Sequence, residues 1–220
     1  MDAITMLKAD HKTVEKLFKR FEKAGDGALK EKRAVVDEII RELSVHAAVE
    51  EQVFYPAIRE AVDDAEDEVL ESLEEHHIVK WVLSELDGMD PGHERFDAKV
   101  TVLMENVRHH VEEEEQDLFP KVREVLKRKA LTDLGESMDV AKRVAPTRPH
   151  PRQPDEPPGN IVGGVAAGAL DRAREVGKEA VAKATSRGRK AAGQAKATTT
   201  GRASSTTRSG TRKRASSSRG

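Results

Sequence analysis

The stretch His46-Ala-Ala-Val-Glu50-Glu51-Gln52-Val53-Phe54-Tyr55-Pro56 returns as His110-Val-Glu-Glu-Glu114-Glu115-Gln116-Asp117-Leu118-Phe119-Pro120. Upstream of each copy stands an acidic residue followed by a histidine, Asp10-His11 and Glu75-His76, separated from His46 and His110 by 35 and 34 residues. The chain therefore contains two similar halves about 64 residues apart, each giving one lone histidine and then one H-x-x-x-E. An internal repeat constrains the fold before any local detail does, because each half must be built alike.

Hydrophobic spacing says what each half is. Ile4, Leu7, His11, Val14, Phe18 and Phe21 recur at three and four residues, one face of a helix running from Asp2 to Ala24, capped by Asp2 or Thr5 and stopped at Gly25-Asp-Gly27. A second helix starts near Leu29 with Val36, Ile39, Leu43, His46, Glu50 and Val53 on one stripe, and Pro56 kinks or ends it. A third spans Glu66–Leu86 with Val69, Leu73, His76, Val79, Leu83 and Leu86 in register. After the turn at Gly88–Gly92 a fourth spans Phe96–Lys129 with Val100, Leu103, Val107, His110, Glu114 and Leu118 aligned and Pro120 as the equivalent kink. Leu131–Val144 adds a short helix. Four amphipathic helices joined by short loops predict an all-α, antiparallel up-down-up-down four-helix bundle.

The seam of that bundle is unusual, since every helix places a histidine in its apolar stripe. In the second and fourth helices a glutamate follows one turn later, on the same face. Buried charges persist only when paired or bound to metal, so six such groups at one level point to ions. Imidazole with carboxylate suits Fe, Mn or Zn rather than Mg or Ca. Two carboxylates on facing helices can bridge two ions, with histidine nitrogens as terminal ligands. The stripe chooses His76 over His77, which aligns with the polar Lys80 and Ser84, and His110 over His109. His77 is left as a supporting donor or an exposed residue. Glu115 is the alternative to Glu114, and Glu51 can reach the site if the helix is locally distorted.

Composition excludes other chemistry. The chain has no cysteine, hence no disulfide, zinc finger or thiolate nucleophile. No basic segment followed by an apolar run opens it and no 18-residue apolar stretch exists, so a soluble, cytoplasmic protein with no membrane association is expected. Charge is divided. Residues 1–145 carry 22 Lys+Arg against 35 Asp+Glu, and residues 146–220 carry 16 against 5, a basic tail of net +11. Four parts are expected: a bundle over 1–130, a short helical extension over 131–145, a Pro-rich extended linker over 146–160, and a low-complexity basic tail over 161–220. The tail has the charge for nonspecific DNA or other polyanion contacts, but no aromatic residue for stacking on bases.

The order H…HxxxE…H…HxxxE, with a Glu-Glu pair and an aromatic-Pro ending on both copies, resembles the hemerythrin-like, HHE cation-binding family over residues 2–129. The resemblance implies a non-haem di-iron centre that meets peroxide, dioxygen or nitric oxide, in oxidative-stress or iron and oxygen handling, with catalase-like or peroxidase-like turnover within its range. It matches His11, His46, His76 and His110 to terminal nitrogens and Glu50 and Glu114 to bridging carboxylates. It favours two Fe ions over Zn or Mn. Oxygen-carrying hemerythrins have a further histidine four residues after the third-helix ligand. Here that position is Lys80, which leaves one coordination position to water, a nearby side chain such as Tyr55, or an exogenous ligand, and favours peroxide chemistry over reversible oxygen carriage. Tyr55 otherwise reads as a core residue with a polar tip. A second reading is a sensor of iron, oxygen or NO that docks on nucleic acid through its tail.

Overall fold

A computed structural model of the chain describes residues 1–154, 159–160 and 163–174. Four long helical runs follow the predicted stripes. The first is α1 (Ala3–Lys23), whose N-terminus is capped by the Asp2 carboxylate accepting from Thr5 N–H at 2.9 Å. The second begins as α2 (Leu29–Val49), widens into a π-helical turn over Glu50–Phe54, and continues as α3 (Tyr55–Ala61). The third is α4 (Glu66–Leu86). The fourth repeats the second, with α5 (Phe96–Glu113), a π turn over Glu114–Leu118 and α6 (Phe119–Val125). Between α4 and α5 the chain reverses through Gly88, whose φ of 81° lies in the left-handed region that glycine alone enters without strain.

The expected kinks at Pro56 and Pro120 take the form of these π turns. A proline has no N–H to give the preceding turn. The turn before each proline is instead closed by a wider bond, Tyr55 N–H to the Glu50 carbonyl and Phe119 N–H to the Glu114 carbonyl. The fourth run ends at Val125, not at Lys129, because Leu126 is extended (φ −86°, ψ 116°) and its N–H closes the helix on Val122.

Two apolar clusters hold the four runs together. One joins Phe18, Ile39, Leu83, Phe96 and Leu103 at one end; the other joins Ile4, Leu7, Tyr55, Ile58 and Phe119 at the other. The histidine level lies between them. The bundle does not stop at residue 130. Helix α7 (Arg128–Lys142) lays Leu131 and Met138 into the second cluster and packs on α1, α2 and the first π turn.

The stretch expected to be an extended linker is also held against the bundle. The Asp171 carboxylate accepts from the backbone N–H of Thr147 and Arg148 (both 3.1 Å), and the Asn160 amide donates to the Glu51 carbonyl at 3.0 Å. Residues 163–174 form α8, with Ala167 and Asp171 buried and the Arg172 guanidinium on the carbonyls of Arg143 and Ala145. A Pro-rich sequence reads as a spacer only while nothing binds its backbone groups, and here side chains of α8 do. The basic tail from 175 onward lies outside the described residues.

Helix α7 approaches α1 so closely that Gly135 has no room for a side chain. A Cβ there would lie 2.3 Å from the Met1 carbonyl oxygen and 2.9 Å from Ala3 N. Gly135→Ala is therefore expected to destabilise the fold by about 1–3 kcal/mol, the usual range for overpacking a tight contact, read as a lowered melting temperature.

Candidate metal centre

The π turns decide which side chains reach the centre. In a regular helix neighbouring residues point about 100° apart, so Glu50 and Glu51 could not both face inward. Widening the turn brings both in, and Glu50 is 0% and Glu51 5% exposed. The second copy does the same less completely, with Glu114 buried and Glu115 half-buried beside it.

Around Glu50 and Glu114 stand four buried histidines, each turning Nε2 to the centre. His46 Nε2 is 3.0 Å and His76 Nε2 3.4 Å from Glu50 Oε2. His11 Nε2 is 3.3 Å and His110 Nε2 3.6 Å from Glu114 Oε2. His76 Nε2 and His110 Nε2 face each other at 3.2 Å. The six principal residues expected from the sequence all converge here.

A carboxylate stands behind each ring, on Nδ1. Within each half, the acidic residue preceding the lone histidine serves the second histidine. Glu75 Oε2 accepts from His110 Nδ1 at 2.8 Å, and Asp10 Oδ2 stands 3.7 Å from His46 Nδ1. Between halves, the second glutamate of one copy serves the lone histidine of the other. Glu51 Oε1 accepts from His76 Nδ1 at 3.1 Å and Glu115 Oε1 from His11 Nδ1 at 2.9 Å. On His11, His76 and His110 a proton held on Nδ1 by these bonds leaves Nε2 as a bare lone pair, the tautomer a metal requires, while Asp10 stands too far from His46 Nδ1 to hydrogen-bond it.

Three of the four carboxylates also carry a lysine. Lys80 is 3.0 Å from Glu51, Lys8 is 3.2 Å from Glu115, and Lys142 is bonded to Asp10. Glu51 and Glu115, which the sequence reading held as further ligand candidates, are thus engaged with His76 Nδ1 and His11 Nδ1 and with lysines. Lys80, where the family's oxygen carriers have a histidine, is 8% exposed and engaged with Glu51.

Asp10 and Glu75 were missed as positioning groups, although their repetition before both lone histidines was the signal. His77 lies outside the centre, since its Nε2 accepts from the Trp81 indole at 3.0 Å. Tyr55 is buried, donates its hydroxyl to Glu114 Oε1 at 3.0 Å, and lies 3.5 Å from His76 Nε2.

Electrostatics tests whether the set fits a metal. Both Glu50 oxygens, Glu114 Oε2 and His11 Nε2 are buried with no hydrogen-bond partner among the described residues. Burial, then the neighbouring Glu114, pushes the Glu50 carboxyl well above the usual carboxylate range. Burial pushes Glu114 the same way, but His110 and His11 outweigh it and hold Glu114 below that range. His46 is driven down to about 4 and His76 well below its ordinary value, chiefly by burial. For His110, burial is overcome by Glu114 and Glu75, which raise it. Cations satisfy these buried atoms with every ligand in its metal-binding form.

The donors divide into two groups sharing Glu50: His11, His46, Glu50 and Glu114, and then Glu50, His76 and His110. A third cluster, Glu75, His109 and Glu113, is partly exposed, and its Glu75 is bonded to His110. The buried set fits a dinuclear centre.

Similarity to known proteins runs along the same residues. The family profile described as hemerythrin HHE cation binding domain matches residues 2–122. A hemerythrin-like protein of Schizosaccharomyces pombe is 29% identical over 141 residues, covering 64% of this chain and 70% of that protein. A DNA nickase of Nostoc sp. is 27% identical over 123 residues, 56% of this chain but 34% of its own length. The crystal structure of a hemerythrin HHE cation-binding domain-containing protein from Mycobacterium kansasii superposes with a TM-score of 0.56 at 26% identity, covering 65% of this chain and 86% of that one.

Removing one orienting carboxylate should weaken the metal without unfolding the bundle. Glu75→Gln is expected to lower metal affinity about 10- to 100-fold, the usual effect of losing a group behind a ligating histidine. A metal titration with circular dichroism as the folding control reads this.

Proposed function

Because the chain belongs to the hemerythrin HHE cation-binding family, we propose that its buried donor set holds two iron ions and that the loaded centre reacts with a small oxidant, with peroxide as the favoured substrate ahead of dioxygen or nitric oxide. The observation that carries this reading is the shared donor set, four inward Nε2 atoms about two buried carboxylates, each ring backed by its own acid. His11, His46, Glu50 and Glu114 would hold one ion, and Glu50, His76 and His110 the other. Iron in such a site supplies one-electron redox changes and an open position for an oxidant.

The chain's own groups supply the rest. Lys80, bound to Glu51, adds no ligand, and the second group has fewer protein donors than the first. That asymmetry favours reaction at one side over symmetrical carriage. The Tyr55 hydroxyl stands beside that side. Burial, Glu114 and Glu50 push its pKa well above that of a free phenol, so it keeps its proton and donates to Glu114.

Metal analysis of the purified protein beside His110→Ala and Glu114→Ala tests this. Two irons per chain, near-ultraviolet absorption that both variants lose, and peroxide consumption above that of the variants are expected. One zinc, or no metal in a folded wild type, would remove the iron reading.

A second reading concerns the tail, favoured by the net charge of +10 over residues 175–220 and by the likeness to a protein described as a DNA nickase. In it, residues 175–220 hold the domain on DNA through phosphate contacts. A chain ending at residue 174 keeps α8 in place and is expected to lose DNA binding. The full chain's affinity should fall steeply between roughly 50 and 200 mM salt. Equal binding by both would rule this reading out.

A further inference from the structure

A two-oxygen molecule needs little space, on the order of one or two water volumes, roughly 30–60 Å³. The cleft that leads to the histidines holds about 690 Å³, a size that suits a whole organic ligand. It opens between α1 and α5. These helices do not pack closely along their length, and Arg108 ties them by ion pairs to Glu15 and Glu22. His11, His46, His76 and His110 line the inner end, and Val14, Phe18, Leu43 and Val107 line the walls.

The mouth carries both signs, with Lys12, Lys16, Lys19 and Arg108 set against Glu15, Glu112 and Glu115. Lys12, Lys16 and Lys19 line it from one helix. Lys19 is engaged with Glu15, and Arg108 with Glu15 and Glu22. Lys12 and Lys16 are exposed, one turn apart, and make no hydrogen bond or ion pair with a described residue. Like charges at that spacing repel, so an anion between them would be welcome.

An apolar trough with an unpartnered pair of cations at its lip is complementary to an amphipathic anion. We propose that this cleft binds a long-chain carboxylate, with its hydrocarbon chain along Val14, Phe18, Leu43 and Val107 and its head group at Lys12 and Lys16. Such a molecule would lie beside the donor set and is far larger than the oxidant considered above. The inference goes beyond the iron reading and does not depend on which metal the centre holds.

The test is calorimetric titration of the full chain with laurate, with metal content measured on the same samples. Butyrate serves as the short-chain control and dodecyltrimethylammonium as the control of head-group charge. Saturable one-to-one binding of laurate is expected, with little binding of either control. The exposed double variant Lys12→Glu/Lys16→Glu should bind laurate about tenfold more weakly, and Val107→Phe, which narrows the trough, should bind it poorly. Both variants should keep the metal content of wild type.

No laurate binding by wild type, equal binding by the lysine variant, or equal binding of the trimethylammonium would each overturn the proposal. Failure of the iron reading would instead show in the metal content of wild type with laurate binding intact.

Discussion

Burying six polar groups at one level of an apolar bundle is the constraint on which the rest of this molecule depends. Two carboxylates and four imidazoles out of water would each be costly alone. The chain offsets that cost by wiring its two halves into each other. Glu75 and Asp10 act within their own half, on His110 and His46. Glu51 and Glu115 act across, on His76 and His11. Each half thus completes the other's ligands, and neither would form half a centre unaided. The lysines on Glu51, Glu115 and Asp10 carry the same logic outward, because a carboxylate behind an imidazole is itself partly buried and gains from a counter-charge.

The π turns make that wiring possible. They sit where a proline removes a backbone donor, at equivalent places in both copies, and they bring a second glutamate inward beside the first. A regular helix would have turned Glu51 away from His76 Nδ1 and from the Lys80 ammonium. A local backbone irregularity is therefore what separates a metal site with oriented ligands from six polar groups in a core.

How much of this could be read from sequence follows from the range of each interaction. Helix runs and the convergence of His11, His46, Glu50, His76, His110 and Glu114 on one level were legible because they follow a 3.6-residue period on an apolar stripe and recur in both halves. The π turns were only half legible. Pro56 and Pro120 announce a defect, but whether it kinks, ends or widens the helix depends on which carbonyl the following N–H groups find. The roles of Asp10 and Glu75 are set by neighbours on other helices, and a single sequence carries no period for that. The packing of 146–154 and α8 was hidden for the same reason, since it rests on Asp171, Asn160 and Arg172 meeting particular backbone groups of distant segments. Its composition reads as a linker because composition reports what a segment cannot bury, not what another segment hydrogen-bonds.

That packing also makes the two sides of the centre unequal. On the side of Lys80 and Glu51, residues 146–154 and Asn160 lie over α2 and α4, and only a small space remains beneath them. On the opposite side α1 and α5 stand apart over the large cleft, bridged at the surface by Arg108. The two halves of the sequence are near-copies, so the repeat alone would give a centre equally open on both faces. The difference comes from the residues that follow the second copy: α7 leads the chain across α1 and α2, and α8 fixes it there. Access to the donor set is therefore decided by a part of the chain that contributes no ligand to it. A substitution in that strap, such as one at Asp171, would act on the centre by uncovering Lys80 and Glu51, not by touching a donor.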